Sequence, residues 1–242
     1  CIAVLVFLLQ CEVNVLASTQ SHTDSPAYKP LSQIPAKAQQ VKTGIYTVNL
    51  YDVDPSSSSF YMDFYIWFKW KGEIDPIANL EYINGVEDWS LTQVPAYEEP
   101  EKLPDGSSYQ IIRVEGRFYE PFVLTRYPLD RQNLKVTIEN SVYTTDQLVY
   151  VTDTEESGYA NDLSIPGWKI GNYQLQNLVH QYPSNFGDSR TKGKNITFSA
   201  LRYQLLISRP INFFMWKMLL PLLIVLISSW GSFLLNPFHV DA

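Results

Sequence analysis

From Phe60 to Trp70 the sequence alternates without a break (FYMDFYIWFKW), and this segment limits what the chain can fold into more than any other. Phe60, Met62, Phe64, Ile66, Phe68 and Trp70 fall on one side of an extended strand and make a wholly apolar face. A helix would scatter the same residues around its circumference. The opposite side, Tyr61, Asp63, Tyr65, Trp67 and Lys69, is aromatic yet amphipathic. A strand with a core on one side and water on the other carries plainly polar residues outward. Rings on that side therefore point to a subunit interface or a binding surface, set against scattered exposed aromatics on a monomer.

The same two-residue period recurs. Ile112, Val114 and Phe118 alternate with Arg113, Glu115, Arg117 and Tyr119, and Leu134, Val136 and Ile138 alternate with Lys135, Thr137 and Glu139. Leu201, Tyr203, Leu205 and Ile207 run on toward the C-terminal apolar stretch. Turn formers separate these runs: Asp54-Pro55-Ser56, Pro104-Asp105-Gly106, Pro166-Gly167 and the segment from Asn185 to Lys194. Strands at this spacing, with no long amphipathic helices between them, define a mainly β chain. We expect an immunoglobulin-like antiparallel β-sandwich of about ten strands over residues 41–209, followed by a transmembrane α-helix.

That helix is Ile211 to Leu235, which carries a single charge, Lys217, near its start, where it can snorkel to an interface. Trp216 and Trp230 suit the two membrane interfaces. Pro221 interrupts the helical hydrogen bonds, which neighbouring helices can compensate. At the other end, Ile2 to Leu9 is apolar but too short to span a bilayer. With Val15-Leu16-Ala17 behind it, the segment reads as a truncated secretory signal over residues 1–17. A buried strand and a lipoprotein signal around Cys11 are the alternatives. Residues 18–40 are polar and read as an N-terminal linker. A signal and a late span together put the sandwich outside the cytoplasmic membrane.

Composition excludes several classes of function. Among 242 residues, 18 are basic and 25 acidic, a net charge of −7, which opposes nucleic-acid binding. The two cysteines, Cys1 and Cys11, lie in the apolar start, so the body has no disulfide, thiolate metal site or thiol nucleophile. His22, His180 and His239 are isolated in sequence, and no nucleophile–base, metal-ligand or phosphate-loop motif is present. We expect no metal, no cofactor and no enzyme. Recognition, signalling and transport remain.

Landmarks over residues 41–242 resemble, in order, the pentameric ligand-gated ion channels, the superfamily of the Cys-loop receptors, in its prokaryotic branch. Tyr51 to Asp54 with Phe60 resembles the loop between the first two strands, Asp63 to Trp70 the second strand, and Glu81 to Asn84 the first binding loop. Tyr127-Pro128-Leu129-Asp130-Arg131-Gln132 matches the aromatic-Pro-x-Asp-x-Gln signature of the Cys loop, and Arg209, Pro221 and Trp230 match the junction and first membrane helix. The cysteines that bracket the signature would fall at Glu120 and Leu134, so the loop disulfide is absent, as in bacterial members.

The resemblance implies four membrane helices, of which this sequence holds the first (210–236) and the start of the pore-lining second (237–242). His239 and Asp241 then lie on the ion pathway. It implies a homopentamer of identical subunits in the cell (inner) membrane, multi-pass, with the sandwich on the periplasmic or extracellular side. Inorganic ions cross it when a small-molecule or proton agonist binds between subunits. It places ligand contacts at Glu81 and Tyr82, at Glu139 and Tyr143, and at Tyr182 and Phe198 on a hairpin, facing Tyr65 and Trp67 of the neighbour. It places the gating charges and loop at Asp54, Tyr127, Pro128, Asp130 and Arg209. The rings could equally only pack the interface. A competing reading is an extracytoplasmic β-sandwich sensor, or a carbohydrate- or peptide-binding module, held by one membrane helix. An extracytoplasmic hydrolase is more remote.

Overall fold

The computed structural model of the chain describes residues 27–87, 90–187, 196–210 and 215–234. Two sheets pack face to face. The first holds five strands in the order β1 (Ala27–Pro30), β11 (Lys169–Tyr182), β12 (Ile196–Ser208), β8 (Arg131–Thr144) and β4 (Leu80–Tyr82). The second is built on β2 (Gln39–Asp54), β3 (Ser59–Trp70) and β7 (Ser108–Tyr119). Its two margins are patched by short strands: β9 (Leu148–Thr152) and β10 (Gly158–Tyr159) against β2, and β5 (Thr92–Pro95) and β6 (Glu101–Lys102) against β7. Short pieces of this kind shorten the open edges that another chain could pair with.

The β3 alternation is realised as read. Phe60, Phe64, Ile66 and Phe68 are fully buried, and Met62 and Trp70 complete the face. They meet Leu134, Val136 and Ile138 of β8 and Leu201, Tyr203, Leu205 and Ile207 of β12 across the sandwich. Each large apolar side chain so buried contributes roughly 1.5–3 kcal/mol before conformational entropy is charged against it. The Tyr203 hydroxyl spans the core, accepting from Thr47 Oγ1 at 3.1 Å and donating to the Gly158 carbonyl at 3.2 Å.

One boundary needs correction, and two details refine the expected sandwich. The sandwich begins upstream of residue 41: β1 lies within the stretch read as linker, and β2 starts at Gln39. Polar and proline-containing sequence does not exclude an edge strand whose rings find partners on a neighbour. Twelve strands are present among the described residues rather than about ten. The pairing is antiparallel except where β9 and β10 meet β2 in parallel. Residues 1–17 and 237–242 lie outside the described residues.

Beyond Arg209 the chain forms a π-helical turn, Met215–Leu219, and then helix α1, Leu220–Leu234. Pro221 accounts for the wider turn, since its missing N–H and its ring disturb the preceding α-helical turn. Trp216–Phe233 is long and apolar enough to cross a bilayer, and none of that window is buried against the rest of the chain. Ser228 and Ser232 return their hydroxyls to the Ile224 and Ser229 carbonyls, so neither is left unbonded in an apolar setting.

Candidate functional site

The β8–β12 register builds the junction at the base. Ser208 pairs with Arg131, and one step further along the same register Arg209 reaches Asp130. Arg209 Nε donates to Asp130 Oδ1 at 2.9 Å, and the Arg209 backbone N–H reaches the Asp130 carbonyl at 3.3 Å. Asp130 is buried, and Gln132 Nε2 donates to its second oxygen at 2.8 Å. The Gln132 amide also clasps Val123, accepting from its N–H and donating to its carbonyl. Loop and strand are thereby tied together in the segment where the resemblance expects no disulfide, and Lys135 adds an ion pair with Glu120 at 2.6 Å.

Two rings hold the guanidinium: Tyr127 at 5.2 Å and Trp168 at 4.2 Å from their centroids. Trp168 is a contact that the sequence reading missed. A turn over Ile165-Pro166-Gly167-Trp168 aims it, with Pro at the second position, Gly167 at φ 81° and the Trp168 N–H closing on the Ile165 carbonyl. Pro128 sits beside Tyr127 in the adjacent turn.

Asp54 does not join this junction. The Ser56 N–H, the Ser56 hydroxyl and the Ser57 hydroxyl all donate to its carboxylate. These local bonds pull its pKa down to about 2. Three donors two or three residues away satisfy it more readily than a distant cation can.

A second cluster lies on the outward face of the five-stranded sheet. Alternation sends Ile138 inward and Glu139 outward. The β11 and β12 registers then set Glu139 beside Ala200, with His180 opposite Phe198 and Tyr182 two residues beyond His180. His180 Nδ1 lies 2.6 Å from one Glu139 oxygen, and the Tyr182 hydroxyl donates to the other at 3.0 Å. The Tyr182 ring stands 3.9 Å from His180 and edge-on to Phe198 at 5.8 Å. Tyr28 of β1 stacks on the far side of His180 at 4.3 Å and is covered in turn by Arg202 at 4.2 Å. Glu139 and His180 are almost entirely buried.

Burial, aided by the charge of Glu81, raises the Glu139 carboxyl to about 7. Burial and Arg202 depress His180 to about 4. Burial thus favours the neutral form of both groups, and a proton lies between the carboxyl and Nδ1.

Of the residues expected on this face, Glu139, Tyr182 and Phe198 come together, and Glu81 stands beside Glu139 by register, exposed. Tyr82 does not join them. Its ring turns toward Phe64 and Phe118, and its hydroxyl has no hydrogen-bond partner among the described residues. Tyr143 packs against the core cluster. Strand alternation explains Tyr82, which pairs with inward-facing Ile138. His180 and Tyr28 were missed, although the two-residue spacing of His180 and Tyr182 already put both on one strand face.

Tyr65 and Trp67 lie on the opposite outward face, that of the seven-stranded sheet. They line an open depression of about 1000 Å³ with Lys42, Tyr46, Tyr109 and Asp153. Trp67 Nε1 donates to Asp153 at 3.2 Å, and Lys42 pairs with the other oxygen of that carboxylate at 3.0 Å. Gly44 makes this possible, because a Cβ there would sit 2.2 Å from the Trp67 ring. Asp63, buried beneath, holds Arg113 by two bonds of 3.0 and 2.8 Å, and that guanidinium lies 5.9 Å from the Tyr65 ring. No group of three or more metal-binding side chains occurs among the described residues. His239 and Asp241 lie outside the described residues.

Two polar-aromatic clusters thus lie on opposite faces of a β-sandwich, and an ion pair stands shortly before a helix of membrane-spanning length. Comparison with known proteins gives this arrangement a relationship. The chain is 26% identical over 209 residues, 80% of its length, to a proton-gated ion channel of Gloeobacter violaceus, covering 55% of that protein. It is 27% identical over 138 residues to the gamma-aminobutyric acid receptor subunit beta-4 of Gallus gallus, covering 55% of this chain and 25% of that subunit. It is 24% identical over 135 residues to the human glycine receptor subunit beta, with the same coverage. The chain thus spans about half the length of the first relative and a quarter of the others. No family model matches it. These similarities bear out the resemblance to the pentameric ligand-gated ion channels, and none of the three relatives is named as an enzyme.

Proposed function

We propose that this chain is the extracellular domain and first membrane helix of a ligand-gated ion channel subunit. Identical subunits assemble as a pentameric ring in a lipid bilayer, with the sandwich outside, and inorganic ions pass when ligand binds between neighbours. The observation that carries the reading is the junction: Arg209, the last described residue but one before the apolar helix, is tied to buried Asp130 and clamped by Tyr127 and Trp168. A displacement of the sandwich base therefore reaches the helix through charge-assisted contacts.

Ring assembly is favoured by the placement of the two clusters. Glu139, Tyr182 and Phe198 face one way, and Tyr65 and Trp67 the other, so no single chain can close both around one ligand. A head-to-tail contact between copies brings them together and generates a ring. The agonist we infer is a small molecule that uses the carboxyl and the rings of this pocket. A proton is the weaker candidate at this pair. Opening the cluster turns a neutral carboxyl and a neutral imidazole into carboxylate and imidazolium, an exchange with no net proton.

The test is voltage-clamp recording from the full-length channel under primary amines and under pH steps. Evoked currents whose half-maximal concentration rises at least tenfold in Trp67→Ala and Tyr182→Ala are expected. A full-length protein present at the surface that answers no stimulus would overturn the reading.

A further inference from the structure

Beside the buried Glu139–His180 pair, the four-residue strand β1 lines the edge of β11 and lays its Tyr28 ring against His180. Ala27 to Pro30 pairs with Gln181 to Leu178, the Leu31 N–H reaches the Asn177 carbonyl at 3.1 Å, and Lys29 Nζ donates to Gln181 Oε1 at 3.1 Å. Through Tyr28 this strand stacks a ring on His180, and Arg202, anchored by its Nε on Thr137 Oγ1 at 3.1 Å, covers that ring.

We propose that the edge of β11 with the Glu139–His180 pair is a seat for an extended strand bearing an aromatic residue, filled here by the chain's own β1, which acts as a releasable strap over the ligand-bearing face.

The occupant is fixed by what lies on the seat. Its attachment is slight beside its neighbours: β1 offers four paired positions, whereas β11 and β12 share twelve. Lys29 and Pro30 are exposed, Tyr28 is half-buried, and Pro30 has no N–H to give. Edge strands this short open before the sheet that carries them. What β1 borders is chemically rich: the imidazole under Tyr28 and, bonded or packed against it, the Glu139 carboxyl and the Tyr182 ring, two of the side chains assigned above to the agonist. The strap thus rests on that assignment of the face. It makes β1 an internal competitor for the outer part of the pocket, whose release uncovers polar groups that the closed form holds neutral. The Nε2 atom of His180 has no hydrogen-bond partner among the described residues. Among the described residues, burial is what shields this nitrogen.

That shielding supplies the experiment, which needs neither agonist nor conduction, so a failure here is separate from a failure of the channel reading. The 242-residue chain in detergent is treated with diethyl pyrocarbonate, and carbethoxylation of His180 is followed by mass spectrometry. Tyr28→Ala and a chain lacking residues 1–30 are expected to react at His180 at least tenfold faster than the unaltered chain. Tyr28→Phe, which keeps the ring, is expected to react as the unaltered chain does. Hydrogen exchange of the β3 amides, measured on the same samples, is expected to stay unchanged. Equal His180 rates in all four chains would overturn the proposal. Loss of β3 protection in both Tyr28→Ala and the chain lacking residues 1–30 would overturn it too, because β1 would then belong to the fold rather than lie at its edge.

Discussion

Side chains at the Glu139–His180 pair set up opposing responses to pH, with Tyr28, Glu81, Tyr182 and Arg202 facing the pair from the surrounding strands. Glu139 is raised from an ordinary 4.5 to about 7, so its neutral form favours the fold. That contribution is complete below 4.5 and is lost as pH rises through 7. His180 is depressed from 6.5 to about 4, so its contribution is present above 6.5 and is lost as pH falls through 4. Between 4.5 and 6.5 the two slopes oppose and cancel. Burial is the leading cause of both shifts, so each outlasts removal of the partner. Relative to the unaltered chain, His180→Phe should lose stability as pH climbs through that interval, and Glu139→Gln should gain it. Each slope is at most about 1.4 kcal/mol per pH unit. Thermal melts at closely spaced pH values check this, and slopes of the same sign in the two variants would contradict it.

At the scale of elements, long strands announced themselves and short ones did not. Strands β3 and β7 bury one complete face each, and β8 and β12 do so over most of their length, so alternation in the sequence marked their centres and orientation. By contrast β1, β9 and β10 span four, five and two residues, too few to display a period, and they exist because β11 or β2 offers them an edge. The Asp130–Arg209 junction was half legible: the resemblance implied their meeting, but Trp168 arrives through a turn whose aim sequence does not give. Asp54 looked like a third member until its own serines claimed it. Strand register brings Glu139, Tyr182 and Phe198 together on one outward face, as their positions in the sequence imply, whereas Tyr82 and Tyr143 pack against the core.

Packing between β2 and β3 yields a sharper prediction. The Trp67 ring lies over Gly44 with no room for a methyl group. Gly44→Ala should push the indole off β2 and break its bond to Asp153, at a cost of about 1–3 kcal/mol. Urea unfolding followed by tryptophan emission measures the loss and the change in indole environment together. An unchanged midpoint and spectrum would mean that the ring was free to move aside.

Whole-molecule behaviour follows from the two outward faces. A two-fold dimer would bring one face against itself, whereas a ring sets the Tyr182 face of one copy against the Trp67 face of the next. In a full-length protein with its native cysteines replaced by Ser, Trp67→Cys combined with Tyr182→Cys should cross-link under oxidation into a ladder ending at five copies. A ladder stopping at two would favour the two-fold arrangement.

Transmission between sandwich and membrane is the claim on which the rest depends, and Arg209 is where it can be broken with least damage elsewhere. The Arg209→Gln full-length channel should reach the surface as pentamers, counted by surface labelling, because the core and both outward faces are untouched. Under voltage clamp it should give no agonist-evoked current, since a neutral amide keeps hydrogen-bonding capacity but loses the charge paired with buried Asp130 and held by Tyr127 and Trp168. Currents of ordinary size from that variant would contradict the account.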